Sequence, residues 1–377
     1  MPGIVVRQVL AKRDRQEFIR FPWSIYKDDR AWVPPLWMDM KDRMDEKKNP
    51  VFRHMKAAFF LAERDGRTVG RVSASVDQNF IRFQNWKAGN FGFFEAVDDP
   101  GVARALLEKA EEFVRAQGME SVVGPAAYGG NDDNYGCLTE GFGQPVFMHA
   151  YNPPYYARLI EAAGYARARE LYAYYMDAAG AEVPPQVAEY ARHLEEREGV
   201  VVRPMDKKNL ARDLEFYRQI YNSAWARNWG FCPLEKEEFE HHAALLRFIV
   251  EPELAMFCEV KGEPAAAALT IPNLNEAIAK MNGRVLPFGA LKLLYMMKAR
   301  KIRGCRVLTL GVKQEFRRLG IGAIFYARTM EAVKRLGYQW GDMSWILDNN
   351  DAMNRAIQMM GGKIWRRWNM YEKKLAS

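Results

Sequence analysis

The chain has 377 residues, 49% of them hydrophobic, and a formal net charge of +8 at pH 7. This length suits two domains with real cores, and the charge suits an anionic cofactor or membrane surface but is too modest and dispersed for a nucleic-acid-binding protein. No apolar run reaches the length of a membrane span and no signal pattern opens the chain, so the sequence predicts a cytoplasmic protein. Four scattered cysteines indicate neither a disulfide framework nor a metal site.

The first half of the chain shows alternating strand and helix patterns. The predicted elements are a strand at 3–10, helices at 14–26 and 38–47, a hairpin of 59–63 and 69–76, a strand at 92–97, a helix at 101–117, a strand at 121–125, a helix at 155–164 and a strand at 168–177. The Asp65-Gly66 pair is a strong hairpin signal, because both residue types tolerate the positive backbone angles of a tight turn.

The second half repeats this order. Its predicted elements are a strand at 199–204, helices at 207–224 and 235–248, a hairpin of 254–260 and 264–271, a strand at 305–312, a helix at 321–336, a strand at 339–347, a capped helix within 349–362 and a strand at 363–374. The repetition predicts an internal duplication, with one domain at residues 1–180 and the other at 181–377.

The most informative stretch is residues 312–325, where a strand passes into a helix. Gly320 and Gly322 let the backbone turn tightly and approach a ligand. The first helical amides lack partners, the helix dipole adds positive charge, and Arg317 and Arg318 add two more charges. This combination predicts a phosphate or pyrophosphate site. A P-loop is excluded because Lys-Ser/Thr does not follow the last glycine, and a dinucleotide fingerprint because its third glycine and early strand are missing.

The stretch resembles motif A of the GNAT (Gcn5-related) N-acyltransferase superfamily, Arg/Gln-x-x-Gly-x-Gly/Ala, with Arg317, Gly320 and Gly322 in register. The resemblance implies two tandem GNAT folds of the α/β (α+β) class, each a mixed, mostly antiparallel sheet flanked by helices. It also implies an acyl-CoA bound by its pyrophosphate. The residues expected at this cofactor site are Val312, Arg317, Arg318, Leu319, Gly320, Ile321, Gly322, Ala323 and Asn350.

Residues 349–362 resemble motif B of the same superfamily, an Asn-led helix that ends in glycine and precedes a final strand. The family often carries a tyrosine in this helix that protonates the departing thiolate. Counted from Asn350, that place holds Ile357, so a tyrosine general acid is absent there.

The equivalent turn of the first half, residues 95–102, lacks motif A. Asp98 and Asp99 lie at the helix N-terminus instead, where they can satisfy the free amides themselves. They would also repel a pyrophosphate, since two like charges about 4 Å apart cost about 4 kcal/mol at an intermediate dielectric constant. The N-terminal domain is therefore expected to be a degenerate copy that shapes the acceptor side, with the acyl-CoA site in the C-terminal domain.

Acyl transfer to an amine needs a polarised thioester carbonyl and a route for the amine proton. In the arrangement that the resemblance implies, a backbone N–H near Leu310 or Val312 polarises the carbonyl. Asp342, early on the neighbouring strand, is the first candidate for a general base, and a solvated strand-end aspartate is the alternative interpretation. Other nearby carboxylates are Glu315 and Asp348.

Two further stretches are candidates for the substrate side. The joint at 221–233 is expected to overhang the acceptor site, with Trp225, Asn228 and Trp229 either in the core or lining the acceptor pocket. The polar, glycine-rich loop at 128–135 either faces the same cleft or is a plain surface loop.

An apolar segment at 285–297 precedes a basic cluster of Lys298, Arg300, Lys301 and Arg303. Because a helix that is apolar on nearly all faces is usually buried, core is the favoured interpretation. Contact with lipid, or a cover over a long acyl chain, is the alternative.

The whole chain resembles bacterial tandem-GNAT proteins that are similar to the bacterial ceramide synthases. The stretches that carry this resemblance are 21–29, 32–36, 91–95, 98–100, 152–156 and 228–231. It implies an acyl-CoA-dependent N-acyltransferase and, in its sharpest form, transfer of a long acyl chain to a sphingoid or other amino-lipid, with peripheral contact at the inner membrane. The alternatives are an acetyl-CoA-dependent acetyltransferase of a small-molecule or peptide amine and a non-catalytic acyl-CoA-binding module.

Overall fold

The computed structural model describes residues 3–130, 132, 135–284 and 289–375, and the side chains of 245–247 lie outside this description. In the first half, the described elements are β1 (Val5–Gln8), α1 (Lys12–Arg20), α2 (Pro22–Ile25), α3 (Trp37–Arg43), β2 (Met55–Arg64), β3 (Arg67–Asp77), α4 (Gln78–Gln84), β4 (Ala88–Ala96), α5 (Pro100–Ala116), β5 (Ser121–Gly124), β6 (Cys137–Glu140), α6 (Tyr156–Ala162) and β7 (Ala166–Asp177). In the second half, they are α7 (Pro185–Glu195), β8 (Val200–Pro204), α8 (Leu210–Ala224), α9 (Lys236–Ile249), β9 (Ala255–Val260), β10 (Glu263–Pro272), α10 (Asn275–Ile278), α11 (Gly289–Lys298), β11 (Gly304–Val312), α12 (Gly322–Arg335), β12 (Trp340–Leu347), α13 (Asp351–Met359) and β13 (Lys363–Lys374).

The strands form one mixed sheet in the order β1-β2-β3-β4-β5-β13-β7-β12-β11-β10-β9-β8, and β6 pairs with β13. Most neighbours are antiparallel, while β4 with β5 and β11 with β12 are parallel. This architecture confirms the predicted fold class. The two parallel pairs occupy equivalent places in the two halves, as expected for a duplication.

The last strand of each half lies in the sheet of the other half. Strand β7 pairs with β12, with Asp177 opposite Trp340. Strand β13 pairs with β5, with Tyr371 opposite Gly124. The two exchanged strands also pair with each other at the centre of the sheet. The domain boundary at residues 180 and 181 remains a prediction, and the hydrogen-bonded sheet runs across it.

The two hairpins form where tight-turn residues separate β-rich runs. Asp65 and Gly66 have φ angles of 52° and 70°, and Lys261 and Gly262 have 52° and 82°. Positive φ at both central residues gives the turn twist that matches right-handed strands. The two hairpins occupy equivalent places in the two halves of the sheet.

Helix α5 packs its apolar face on the first-half strands, because its apolar residues recur at helical spacing. Val102, Leu106 and Val114 are completely buried in the core of this half. The equivalent helix α12 buries Ile324 and Phe325 in the core of the second half. The duplicated order of elements thus places an equivalent packed helix in each half.

Two predictions about helices need correction. The helix expected at 14–26 divides at Phe21, because Pro22 starts a new short helix and lacks the N–H that would continue the first. The interpretation of 285–297 as buried core is wrong for α11, and residues 285–288 lie outside the described residues. No residue of α11 is buried, because the helix packs through one face at Leu293, Met296 and Met297. Among the described residues, no helix has the length and apolarity needed to cross a membrane.

Candidate functional site

The site begins where β11 and β12 separate. The two strands pair in parallel as far as Val307 opposite Met343 and then diverge. The register of β11 against β10 shifts at Leu308, which lies in a bulge. The divergence opens a cavity of about 590 Å³ between the two strands and the start of α12. We name this cavity the splay cleft.

The turn into α12 borders the splay cleft. Gly320 has a left-handed φ of 65°, and a Cβ there would stand 2.8 Å from the ring of Tyr190. Tyr190 also donates its hydroxyl to the Leu319 carbonyl at 3.0 Å. The N-cap residue of α12, Ile321, gives no side-chain cap, so no side chain satisfies the first amides of the helix in this way. A Cβ at Gly322 would make an ordinary contact with the ring of Tyr326 at 3.8 Å, so this position has room for one.

A second cavity of about 260 Å³, the apolar chamber, adjoins the splay cleft. The two cavities share a wall formed by Trp225, Asn228, Trp229, Leu308, Thr309, Ser344, Trp345 and Leu347. The rest of the chamber is mostly apolar, with Leu214 from α8 and Phe239 from α9. The chamber is therefore an environment of leucine and aromatic side chains next to the splay cleft.

A third cavity of about 580 Å³, the polar chamber, lies between the two halves. It shares Asp132, Met148, Leu234 and His242 with the apolar chamber. Its wall carries six carboxylate residues and two arginines, namely Asp39, Asp42, Asp77, Glu95, Asp132 and Glu238 with Arg43 and Arg71. The wall therefore stays acidic in a basic chain, even with a protonated His54 between Asp77 and Glu238. Such a wall favours a cationic ligand.

A buried polar cluster lies beside these chambers, around Asp342 and His149. Both side chains are 0% exposed. His149 Nε2 lies 3.2 Å from Asp342 Oδ1 and 2.7 Å from Ser344 Oγ. The Ser344 hydroxyl donates to the same carboxylate, and Trp365 Nε1 donates to its other oxygen at 2.9 Å. Asp342 is thus completely enclosed by donors.

This arrangement fixes the tautomer of His149. Because the Ser344 proton goes to Asp342, the Ser344 oxygen accepts a hydrogen bond, so His149 Nε2 must carry the imidazole proton. His149 Nδ1 then holds a lone pair, and it is a buried atom with no hydrogen-bond partner among the described residues. Burial lowers the pKa of His149 to about 4. At neutral pH the ring is therefore uncharged, and its free lone pair is at Nδ1.

Arg306 on β11 holds this part of the first half against the second-half strands. Its guanidinium donates to the carbonyls of Phe147 and Met148 at 2.9 and 2.8 Å and to the Ser344 carbonyl at 3.2 Å. Burial raises the pKa of Asp342, but His149, Arg306 and Ser344 together hold it below its usual value. The carboxylate is therefore ionised, and it orients His149.

The helix that follows β12 closes the far side of the splay cleft. Asn350 caps α13 by accepting a hydrogen bond from the Met353 amide at 3.3 Å, as predicted. Ile357 lies in the cleft wall at the place where motif B often has tyrosine. A different phenol, Tyr326 of α12, lines the cleft and donates to Met353 Sδ at 3.5 Å. Burial raises its pKa, so it keeps its proton at neutral pH.

The chain is 33% identical over 376 residues to Protein YghO of Escherichia coli (strain K12), an alignment that covers 98% of this chain and 95% of that protein. It is 34% identical over 369 residues to the bacterial ceramide synthase of Caulobacter vibrioides, covering 96% of this chain and 94% of that protein. A tandem GNAT protein from the clavulanic acid biosynthesis pathway has a similar structure, with a TM-score of 0.58 at 11% identity and coverage of 100% and 99%.

The chain belongs to the same family as these two relatives, and its fold is the tandem GNAT fold.

The fold is also similar to the GCN5-related glucosamine N-acetyltransferase region of a fungal multi-domain β-N-acetylglucosaminidase, with a TM-score of 0.59 at 16% identity. That alignment covers 99% of this chain and 38% of the longer fungal protein. No protein-family model matches the sequence. The GNAT fold implies an acyl-CoA co-substrate, and the α12 N-terminus, which the side chain of Ile321 does not cap, fits its pyrophosphate.

The equivalent turn of the first GNAT half is closed to such a ligand. Asp99 accepts hydrogen bonds from the amides of Gly101 and Val102 at 2.7 and 3.2 Å, as the sequence predicted. Arg64 donates to the same carboxylate at 2.7 Å. Tyr156 of α6 accepts from the amide of Ala96 at 3.0 Å and so occupies the end of β4.

The predicted cofactor residues divide into two groups. Those that line the splay cleft are Val312, Arg317, Gly322 and Asn350, and Leu310, predicted to polarise the carbonyl, lines it too. Those outside its wall are Arg318, Leu319, Gly320, Ile321 and Ala323, of which Ile321 is core and Leu319 and Ala323 pack against core. Arg317 is turned back onto the chain, where it donates to the Ala224 carbonyl at 2.7 Å.

The predicted substrate residues lie where the cavities meet. Trp225, Asn228 and Trp229 line both the splay cleft and the apolar chamber. Gly311 is required beneath Trp225, since a Cβ there would stand 2.2 Å from the indole ring. In the loop at 128–135, residues 131, 133 and 134 lie outside the described residues, while Tyr128 lines the polar chamber.

Sequence reasoning missed His149 and Ser344. The available signal was a lone histidine within the apolar run at 146–150, since a titratable residue in such a run is expected to be buried. Ser344 follows Asp342 at the strand period of two, so both side chains face one side of β12. Nothing in the local sequence places His149 opposite that face.

Proposed function

We propose that the protein transfers a long acyl chain from an acyl-CoA to the primary amine of a sphingoid-type amino-lipid. The observation that carries this proposal is the order of the three cavities: the splay cleft, the apolar chamber and the acidic polar chamber. The first suits a phosphorylated thioester, the second a hydrocarbon chain and the third a protonated amine with neighbouring hydroxyl groups. The name of the Caulobacter relative, bacterial ceramide synthase, supports the same substrate class.

On the donor side, the first turn of α12 binds the pyrophosphate through backbone amides, with Arg317 and Arg318 adding positive charge. The pantetheine arm follows β11, whose pairing with β12 ends at Val307. Beyond that point the backbone edge of β11 faces the cleft, and the N–H near Leu310 polarises the thioester carbonyl. Trp225 and Trp229 separate this carbonyl from bulk water.

On the acceptor side, His149 is the general base and Asp342 is its positioning partner. Both side chains are 0% exposed, but His149 lines the polar chamber, whereas Asp342 lines none of the three cavities. Ser344 lines the splay cleft and the apolar chamber and contacts His149 at 2.7 Å. The His149–Ser344 pair thus spans the wall between the amine side and the thioester side.

The reaction proceeds in one balanced transfer. The ammonium group of the acceptor first loses one proton to solvent. The resulting neutral amine attacks the thioester carbonyl carbon, the C–N bond forms, the C–S bond breaks, and the second amine proton passes to His149 Nδ1. The departing thiolate takes a proton from Tyr326 or water, because Ile357 cannot supply one. The products are an amide and free coenzyme A.

A thermal-shift series with coenzyme A, acetyl-CoA and palmitoyl-CoA tests the donor half of this proposal. A ligand that binds the folded state raises its melting temperature. We expect palmitoyl-CoA to stabilise the protein more than acetyl-CoA does. Equal shifts with all three ligands would favour a short-chain acetyltransferase. If none of the three ligands shifted the melting temperature, the α12 turn would not be the acyl-CoA site.

Gly322→Glu is the matching variant, because the space beside Gly322 accepts a side chain whose carboxylate then opposes the pyrophosphate. Repulsion of this kind is worth about 4 kcal/mol at intermediate dielectric, so we expect the ligand shifts to disappear. Gly180→Glu is the control, because no atom lies within 4 Å of a Cβ at that position. Release of coenzyme A thiol with sphinganine, compared with small amines and peptides, then tests the acceptor.

A further inference from the structure

Helix α11 presents an apolar face to solvent. Leu291, Leu294 and Tyr295 are 65%, 50% and 57% exposed. They lie at positions i, i+3 and i+4, so they form one side of the helix. The opposite side, with Leu293 and Met297, packs on the hydrophobic cluster at the base of the second half. A row of large exposed apolar side chains on one helix is costly in water unless something covers it.

The surroundings of this face are strongly basic. Between residues 280 and 303 the sequence has seven cationic residues and no acidic one, in a chain whose net charge is +8. The seven are Lys280, Arg284, Lys292, Lys298, Arg300, Lys301 and Arg303. All seven are exposed. Arg300 pairs with Glu251 at 2.8 Å, and Lys301 donates to the Tyr295 hydroxyl at 2.8 Å.

The segment also borders the polar chamber. Val33 and Leu36 line that chamber, and they pack in the same hydrophobic cluster as Leu293 and Met296 of α11. The backbone holds the contact as well, because the Trp37 amide donates to the Gly283 carbonyl at 3.0 Å. Helix α11 therefore lies next to the wall of the cavity assigned to the amine, which it meets through its packed side.

We propose that this α11 face, formed by Leu291, Lys292, Leu294, Tyr295 and Lys298, docks on a membrane surface that contains anionic lipid. Leucine side chains enter the boundary between head groups and acyl chains, the tyrosine lies at the head-group level, and the lysines bind phosphate or other anionic head groups. A lipid amine can then pass from the membrane to the polar chamber past Val33 and Leu36.

Charge and polarity together favour a membrane over an acidic protein partner. A basic surface alone would serve either one, but exposed leucines flanked by lysines on one helix face are typical of interfacial helices. The inference extends the proposed function by naming the surface at which a lipid acceptor arrives. Vesicle binding can be measured without catalysis. The proposal of a docking surface and the proposed reaction can therefore be disproved independently of each other.

The test is co-sedimentation of the purified full chain with two kinds of vesicle. One kind is phosphatidylcholine alone, and the other contains on the order of 30% phosphatidylglycerol, an anionic lipid that attracts basic segments. We expect binding to the anionic vesicles that weakens with added salt. Lys292→Glu with Lys298→Glu should weaken the partition at least about tenfold, since each lysine near such a surface contributes about fivefold. Leu291→Gln with Leu294→Gln should weaken it by a similar factor, because the apolar contact is lost.

Matched changes elsewhere serve as controls. Lys207→Glu with Lys208→Glu alters the same charge on a different exposed surface, and Leu10→Gln removes an apolar side chain that is 74% exposed. Neither should change vesicle binding. If the wild-type protein stays in the supernatant with both vesicle types, or if the α11 variants bind as well as the controls, the face is not a membrane-docking surface and the proposal is wrong.

Discussion

The two strand-to-helix turns of this molecule, before α5 and before α12, occupy equivalent places in a duplicated fold and differ in how the helix N-terminus is satisfied. At α5 the carboxylate of Asp99 accepts from two backbone amides and pairs with Arg64. At α12 the N-cap residue Ile321 makes no side-chain hydrogen bond to the first amides. One helix start is capped by a side chain of the protein, and the other is the proposed pyrophosphate site. The difference teaches that two equivalent turns of a duplicated fold can satisfy their helix amides in different ways.

The first test asks whether the closed half is truly inert in catalysis. His149 belongs to that half yet lies against Asp342 and Ser344 of the other. We expect His149→Asn to lower kcat by about 10²–10⁴-fold, the usual contribution of a general base, with little change in binding of acyl-CoA. Steady-state kinetics measure the loss, and the ligand-induced thermal shift shows that the variant is folded and binds the donor.

The pH dependence of the reaction rate gives a second prediction for His149. The pKa of His149 is lowered to about 4, so its neutral form is complete at pH 6 and decreases only as the pH falls towards 4. The wild-type rate should therefore show no inflection near pH 6.5 from this residue. His193→Asn, on the exposed surface of α7, is the control and should leave kcat unchanged. If His149→Asn left kcat unchanged, His149 would not be the general base and the first half would have a purely structural role.

The second test measures how firmly the two halves are held together. His54 of the first half lies between Asp77 at 2.8 Å and Glu238 of the second half at 3.0 Å. Burial alone would lower its pKa, but the two carboxylates raise it to about 10. Because this value is above the ordinary 6.5, the stabilisation is complete below pH 6.5 and is lost as the pH rises through about 10.

We therefore expect His54→Gln to be less stable than wild type at pH 7, by on the order of 4 kcal/mol for a shift of this size. The two stabilities should converge as the pH approaches 10, since lysines and tyrosines titrate equally in both proteins. Chemical denaturation across pH 6.5–10 measures the difference. If the difference in the free energy of unfolding between the two proteins stayed constant over this range, His54 would carry no extra proton in the folded protein.

The third test removes the cap that closes the first turn. Asp99→Ala should lower the free energy of unfolding by about 1 kcal/mol, because two amides of α5 lose their acceptor. It should leave the acyl-CoA-induced thermal shift unchanged, since that ligand binds at α12. Asp98→Ala is the neighbouring control, and only an exposed contact with Arg158 is lost there, so its effect should be smaller. A gain of acyl-CoA affinity in Asp99→Ala would contradict the assignment of a single site.

Local patterns predicted most of the elements, because amphipathic spacing, caps and turn pairs act over a few residues. Both hairpin turns, the Asp99 cap of α5 and the Asn350 cap of α13 follow from sequence neighbours alone. Helix α7 was not predicted, although Tyr190 on it packs over Gly320. Its contact with the α12 turn joins residues about 130 positions apart, and short-range patterns contain no information on such a distance.

The cofactor side of the site was more accessible to sequence reasoning than the acceptor side. A phosphate turn is a continuous stretch, so Gly320 and Gly322 could be recognised together. The acceptor side is assembled from segments of both halves, and His149 meets Asp342 across 193 residues. The apolar composition of α11 was clear from sequence, but its exposure was not, because the direction of a helix face depends on what packs against it.

The exchange of β7 and β13 has a consequence for how the polypeptide can be cut. Each half contains the strand that completes the sheet of the other, and β7 and β13 are hydrogen-bonded side by side at the centre. A single proteolytic cut at residues 179–184 would therefore leave two fragments that stay associated through these strand pairings, rather than two free domains. For the same reason neither fragment expressed alone has a complete sheet, and each would need the other present while it folds.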